Sequence, residues 1–339
     1  MIPDPSDLTL ANPISSYYTG DINIEMLRNG LKALLSHIPY LGAELHGKNW
    51  KLTQNKLLVD EFLDNQVFQV KAQQDKMNIR LMHQFGDAFT LKYILECLGK
   101  ACKGEVLSGE YLTKYDLVCG FNEESQLGTT WTMKPQTSRP KMNLQSFEID
   151  ISAEILEAKT KQFGISSNTF LSCAIVKAWD RVVEPIKELQ ICYRIDTGNQ
   201  IYLGNLFNHF VLEMKQDWSS TSYKDADNKF KKAIQIQKPT TFWQDIALSN
   251  FAASSKKPLH FKMGGYGNFG ISSSRKYKFG SIDFGFPTTG YFKIPALYYN
   301  LFHILELPND VNSVRIYGAV PAELIEAFTS AIELELFSK

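Results

Sequence analysis

The chain has 339 residues, of which 44% are hydrophobic, and its 36 basic and 36 acidic side chains give a formal net charge of zero. A chain of this size and composition is an ordinary globular protein with room for two domains, and its balanced charge gives no bulk attraction to nucleic acid or an anionic membrane. The N-terminal Met-Ile-Pro-Asp-Pro-Ser-Asp lacks the basic and apolar regions of a signal peptide, and no run of about 18 apolar residues predicts a membrane span.

Asp21 or Asn23 can cap a first helix whose apolar stripe is Ile22, Met26, Leu27, Leu31, Leu34 and Leu35. Residues 38–42 (Ile-Pro-Tyr-Leu-Gly) end it. Short strands are predicted at 43–46, 50–52, 57–59 and 67–70. Residues 79–82 (Ile-Arg-Leu-Met) read as a buried strand. His83 follows at once, then Gln84, Phe85, Gly86 and Asp87. From Ala88 the pattern turns helical, with Phe89, Leu91, Ile94, Leu95 and Leu98 apolar and Gly99 or Gly104 as stops. A histidine and an aspartate in His-x-x-x-Asp spacing therefore flank a strand-to-helix corner. Such a corner can hold an imidazole rigidly at the mouth of a cleft. By itself the spacing also fits a histidine satisfied at a strand end.

From 120 to 143 Gly, Asn, Ser, Gln, Thr and Pro dominate and helical periodicity vanishes. A long irregular stretch in a compact protein is either functional or a linker. It divides the chain into a first domain of residues 1–119, a crossover loop at 120–146 and a second domain at 147–339. The second half opens with a strand at 147–151 and a helix at 153–163. Ser166 or Ser167 starts a helix that is apolar nearly all round, as a buried helix must be. Strands are expected at 191–195 and 207–214, with a polar-faced helix at 225–237. Further strands are expected at 269–272, 281–284, 291–294, 300–305 and 314–320, and Pro321 fits the first position of a closing helix. The whole is a mixed α/β chain.

Several constellations stand out. Asp283-Phe284-Gly285-Phe286-Pro287 places an aspartate at a strand end before a sequence that also suits a plain turn. Arg194, within the otherwise apolar run Tyr193 to Ile195, needs a partner if buried, and Asp196 or Asp283 can supply one. Gly265, Gly267 and Gly270 match G-x-G-x-x-G, but a strand follows where a dinucleotide site needs a helix, so the stretch reads as a loop. His303, between Leu301 and Leu305, reads as a satisfied core histidine. Tyr17, Tyr18 and Trp243 suit a pocket lining or simple packing. The five cysteines are irregularly spaced without C-x-x-C. They read as reduced intracellular thiols with no disulfide framework or metal site, which points to the cytoplasm.

His83 to Asp87, Arg194, Gly204-Asn205 and Asp283 to Gly285, in this order, make the chain resemble the BAHD acyltransferases. That family belongs to the wider group of chloramphenicol acetyltransferase and the condensation domains of peptide synthetases. Its signature is His-x-x-x-Asp early and Asp-Phe-Gly-Trp-Gly late. Residues 31–45 resemble its N-terminal helix and exit, residues 167–179 its buried helix after the crossover, and residues 314–328 its closing strand and helix. The chain departs from the pattern at Met82, at Ala88, at Phe286-Pro287 in place of Trp-Gly, and at Ser272-Ser273-Ser274 in place of Thr-Ser-Trp.

The resemblance implies two chloramphenicol-acetyltransferase-like α/β domains with a channel at their interface. It implies acyl transfer from an acyl-CoA co-substrate to a small-molecule alcohol or amine, without a metal and without an acyl-enzyme, by a monomer. His83 is then the general base, and Ser272 or Ser274 the donor to the oxyanion. Asp87 turns from substrate to pair with an arginine. Asp283, with Arg194 as partner, and Gly285 have structural roles. Lys256, Lys257 and Arg275 are candidates for the CoA phosphates. The alternatives are a scaffold protein that kept the fold and lost the chemistry, and a condensation-type domain using carrier-bound acyl groups.

Overall fold

The structure, a computed structural model, describes residues 13–46, 49–52, 57–63, 65–113, 143–183, 186, 188–194, 201–204, 207–213, 218–237, 268–293, 301–308 and 310–338. The first half builds β1 (Pro13–Gly20), α1 (Ile24–His37), β2 (Ala43–His46), β3 (Asn49–Leu52), β4 (Phe68–Ala72), β5 (Lys76–Met82), α2 (Ala88–Cys102) and the short β6 (Leu112–Thr113). Asn23 caps α1, its side chain accepting from the Met26 N–H at 3.0 Å. Leu27, Leu31 and Leu34 are the buried stripe of that helix. α1 crosses α2 closely at Gly30, where a Cβ would lie 2.6 Å from Cys102 Sγ. The 57–59 stretch forms only an isolated bridge, Leu58 with Val70, and not the expected strand.

The second half begins with β7 (Leu144–Ile151), α3 (Ala153–Phe163), α4 (Ser167–Val182), β8 (Glu188–Arg194), β9 (Tyr202–Leu203), β10 (Phe207–Glu213) and α5 (Tyr223–Gln237). It continues with β11 (Asn268–Ser273), β12 (Thr288–Lys293), β13 (Leu301–Leu307), β14 (Asp310–Pro321) and α6 (Ile325–Phe337). Two principal sheets result. The smaller runs β12-β1-β5-β4 and is antiparallel throughout. The larger runs β10-β8-β11-β13-β14-β7, with β8, β11 and β13 parallel. β12 therefore comes from the second half of the chain but completes the sheet of the first.

α4 is buried almost all round: Phe170, Leu171, Cys173 to Val176, Ala178 and Trp179 are all enclosed. One face of the six-stranded sheet lies against the helices. Ile271, Phe302, Ile304 and Ile316 join Phe170, Trp179 and Phe328 in one core cluster. The opposite face meets the first half of the chain, since Leu305 and Tyr317 belong to the other cluster with Ile79, Leu81 and Leu91.

Two local expectations change. Residues 281–284 are not a strand; a short 3-10 turn, Phe279–Ser281, is followed by extended residues leading to Gly285. Gly285 has φ of +82°, which turns the chain out of any ladder. Pro321 ends β14, and the helix starts only after a 3-10 turn at Ala322–Leu324.

Candidate active site

β5 delivers His83 to the start of a 3-10 turn, His83–Phe85, and Asp87 then caps α2. The buried Asp87 carboxylate accepts from the Thr90 N–H at 2.9 Å. This corner is stitched to the far half of the chain at Gly204. The Thr90 hydroxyl donates to the Gly204 carbonyl at 2.9 Å and accepts from the Gly204 N–H at 3.0 Å. The Asp87 N–H donates to the same carbonyl at 3.4 Å. The turn holding His83 is thus fixed by backbone and side-chain bonds on both sides.

His83 is half-buried, and burial is the largest influence on it, pulling its pKa below the ordinary histidine value. Its own carbonyl, the Asp87 charge and Gly86 pull the other way. The ring is therefore neutral near pH 7, the state in which an imidazole can take a proton.

The late motif packs against the first half of the chain. Phe284 is fully buried, edge-on to Tyr18 at 4.9 Å and stacked on Phe286 at 5.8 Å. The Asp283 carboxylate accepts from the Gly285 N–H at 2.8 Å and pairs with Lys103 at 3.1 Å. These two contacts, the turn N–H first, hold its pKa below the usual carboxylate value. Lys103, just beyond α2, is thus a partner of Asp283 that the sequence did not single out, at the C-terminal end of α2. At Gly99 a Cβ would stand 2.3 Å from the Asp283 carbonyl, so α2 runs against the motif's backbone.

The sheet face opposite His83 carries a row of polar side chains. Ser272 on β11 is in register with His303 on β13, His303 with Tyr317 on β14, and Tyr317 with Glu148 on β7. Register partners share a face, and Ile271, Phe302, Ile304 and Ile316 occupy the other one. Phe89, two residues past Asp87, meets Tyr277 edge-on at 6.2 Å, which brings the end of the Ser272 strand to the His83 corner.

Ser272 is half-buried, whereas Ser274 is buried and its N–H donates to the Ile304 carbonyl at 3.1 Å. His303 is only 4% exposed. The satisfied core histidine expected there is buried but not satisfied: neither ring nitrogen has a hydrogen-bond partner among the described residues. Burial, and then the His83 charge, push its pKa down to about 4. Both histidines are therefore neutral near pH 7. In the sequence, His303 sits in a simple apolar alternation; only strand register places it beside Ser272.

Arg275 donates to the Ser167 hydroxyl at 2.7 Å and to the Asn312 carbonyl at 3.2 Å, so its guanidinium is engaged at the start of α4. Lys256, Lys257, Asp196, Asn205, Trp243, Gly265, Gly267, the side chain of Arg194 and nearly all of the 120–146 loop lie outside the described residues. Among the described residues no cluster of His, Cys, Asp or Glu could hold a metal, and no helix is long and apolar enough to cross a membrane.

No protein-family model matches the sequence, and neither does any curated protein. Solved structures do match. TRI101 of F. graminearum, complexed with Coenzyme A and deoxynivalenol, aligns with a TM-score of 0.73 at 10% identity, over 96% of this chain and 95% of that one. Vinorine synthase aligns with a TM-score of 0.68 at 12% identity, over 99% and 92%. The condensation domain of the Monacolin K polyketide synthase MokA aligns with a TM-score of 0.63 at 11% identity, over 96% and 92%. At such identities the likeness is one of fold. The chain has the two-domain, chloramphenicol-acetyltransferase-like α/β architecture that the BAHD resemblance implies.

Proposed function

We propose that this protein is a BAHD-type acyltransferase that moves an acyl group from an acyl-CoA thioester to a hydroxyl or amine. The observation that carries the reading is His83: a neutral imidazole on a corner pinned by Asp87, Thr90 and Gly204, facing the polar row of the opposite sheet. The fold shared with TRI101, which has been solved with Coenzyme A and a small-molecule ligand, supports the donor and the acceptor class.

In this mechanism His83 takes the proton of the acceptor O–H or N–H as that atom attacks the thioester carbonyl. The tetrahedral intermediate collapses by breaking the C–S bond, and His83 returns the proton to the CoA thiolate. No bond to the protein forms. Asp87 holds the histidine turn from behind. Asp283 and Gly285 hold the wedge that keeps the halves in register. Ser272 stands on the reacting face and can donate to the oxyanion, while Lys256, Lys257 and Arg275 remain the candidates for the CoA phosphates.

The likeness to the MokA condensation domain favours a second reading, in which the same base serves a thioester carried on a protein-bound pantetheine arm. One experiment separates the two. Thiol release is followed from a series of acyl-CoAs, with alcohols and amines as acceptors, alongside thermal shifts with each acyl-CoA and with CoA as control. Stabilisation by acyl-CoA and acceptor-dependent release support the CoA enzyme. Release only from carrier-bound acyl groups supports the condensation reading. No response from either donor supports the non-catalytic scaffold.

A further inference from the structure

The proposed mechanism gives His303 no role, and a buried side chain whose two nitrogens have no partner among the described residues needs an explanation. A buried imidazole without protein partners opposes folding, so its persistence points to a role in binding a ligand. Three features say which ligand. The ring lies on the sheet face that meets the first half of the chain, next to Ser272 in register. It is near enough to His83 for the two charges to repel. And its other register neighbour, Tyr317, lies beside it at 6.4 Å between ring centres, while Lys293 covers the Tyr317 ring at 5.1 Å. Lys293 is itself paired with Glu148, the register partner of Tyr317, at 3.4 Å, so these charges balance and the His303 ring N–H is the donor left to meet developing negative charge.

We propose that His303 is a catalytic residue whose ring N–H donates to the thioester carbonyl oxygen as the tetrahedral intermediate forms, sharing the oxyanion with Ser272. The inference rests on the acyltransferase reading and adds a second histidine to it. Each histidine then has one task. His83 removes and returns the proton, and His303 keeps its own proton throughout while its hydrogen bond strengthens as charge moves onto the carbonyl oxygen. A neutral imidazole can donate from one nitrogen in this way without the charge that would suppress His83 as a base.

The test compares the wild type with His303→Leu and His303→Asn. It measures thiol release across an acyl-CoA series with alcohol and amine acceptors, acyl-CoA affinity by calorimetry, and thermal stability. Replacing an unsatisfied buried imidazole by an apolar side chain should leave the melting temperature unchanged or higher. Turnover of His303→Leu should nevertheless fall roughly 100- to 1,000-fold with acyl-CoA affinity unchanged, and His303→Asn, which keeps an N–H donor, should recover part of it. Wild-type turnover in His303→Leu, or a loss that only follows acyl-CoA affinity or the folded fraction, overturns the assignment. If the wild type itself releases no thiol from any acyl-CoA, the acyltransferase reading has failed, and this assignment fails with it.

Discussion

His83 and Asp87 are close in sequence but do different work, and substitutions should separate them. On the proposed mechanism His83→Ala removes the general base. Turnover should drop by roughly 100- to 10,000-fold, the usual contribution of a general base, with little change in melting temperature. Asp87→Ala removes a helix cap bonded to the Thr90 N–H. Stability should fall by about 1 kcal/mol, and turnover should fall too because the His83 turn loses its anchor. Asp87→Asn, which still caps, should recover most of the stability; chemical denaturation of the three proteins checks this. Gly285→Ala is a further residue-scale case. Its φ of +82° and a would-be Cβ 2.7 Å from Lys103 Cγ should lower the melting temperature measurably. The His-x-x-x-Asp spacing was legible in the sequence because both residues lie on one local corner. The pairing of Lys103 with Asp283 was not. Lys103 and Asp283 meet at 3.1 Å although 180 positions separate them, and nothing local links them.

At the scale of elements, the late motif acts as a wedge. Phe284 fills the space between Tyr18 on β1 and the α1–α2 layer, and Gly99 lets the motif's backbone touch α2. Phe284→Ala should cost about 3–5 kcal/mol of stability, as truncation of a fully buried aromatic does. It should also lower turnover by loosening the interface, and thermal denaturation with an activity assay on the folded fraction separates the two effects. Most elements were legible from periodicity and caps: α1 from its stripe and Asn23, α2 from Asp87 and its apolar run, α4 from its all-round apolar surface. β1 gave no such signal. Its residues Ile14, Ser15, Ser16 and Tyr18 are all buried, so apolar–polar alternation is absent. The β1 strand exists because it lies between β5 and β12, and β12 is supplied from the other end of the chain.

For the whole molecule, three titratable groups, His83, His303 and Glu306, set opposing pH limits. His83 and His303 have pKa values below the histidine reference of 6.5, so their contribution to stability is complete above that pH. It is lost as pH falls, down to about 4 for His303. Glu306 behaves oppositely. Burial raises its pKa from 4.5 to about 7, against the pull of the Gly280 and Phe279 N–H groups and of Lys92 and Lys278. Its contribution is complete below pH 4.5 and is lost as pH rises to about 7. Glu306→Gln, whose amide oxygen can still accept from the Gly280 N–H, should therefore stabilise the protein at pH 8 and change little at pH 4. Urea denaturation at the two pH values gives the comparison.

By itself the sequence determined the α/β class, the helices with strong stripes and caps, the strand-to-helix corner that holds His83 and Asp87, and the resemblance that predicted two similar domains. All of these depend on residues near one another along the chain, where spacing and composition speak directly. The tertiary structure alone decided that β12 completes the first sheet, that Lys103 serves Asp283, and that His303 stands beside Ser272. Each of these is a meeting of distant segments, set by strand register and by burial against a second layer. Hydrophobic pattern says which face of a strand turns inward; it does not say which strand will lie alongside, or what will stand across the interface.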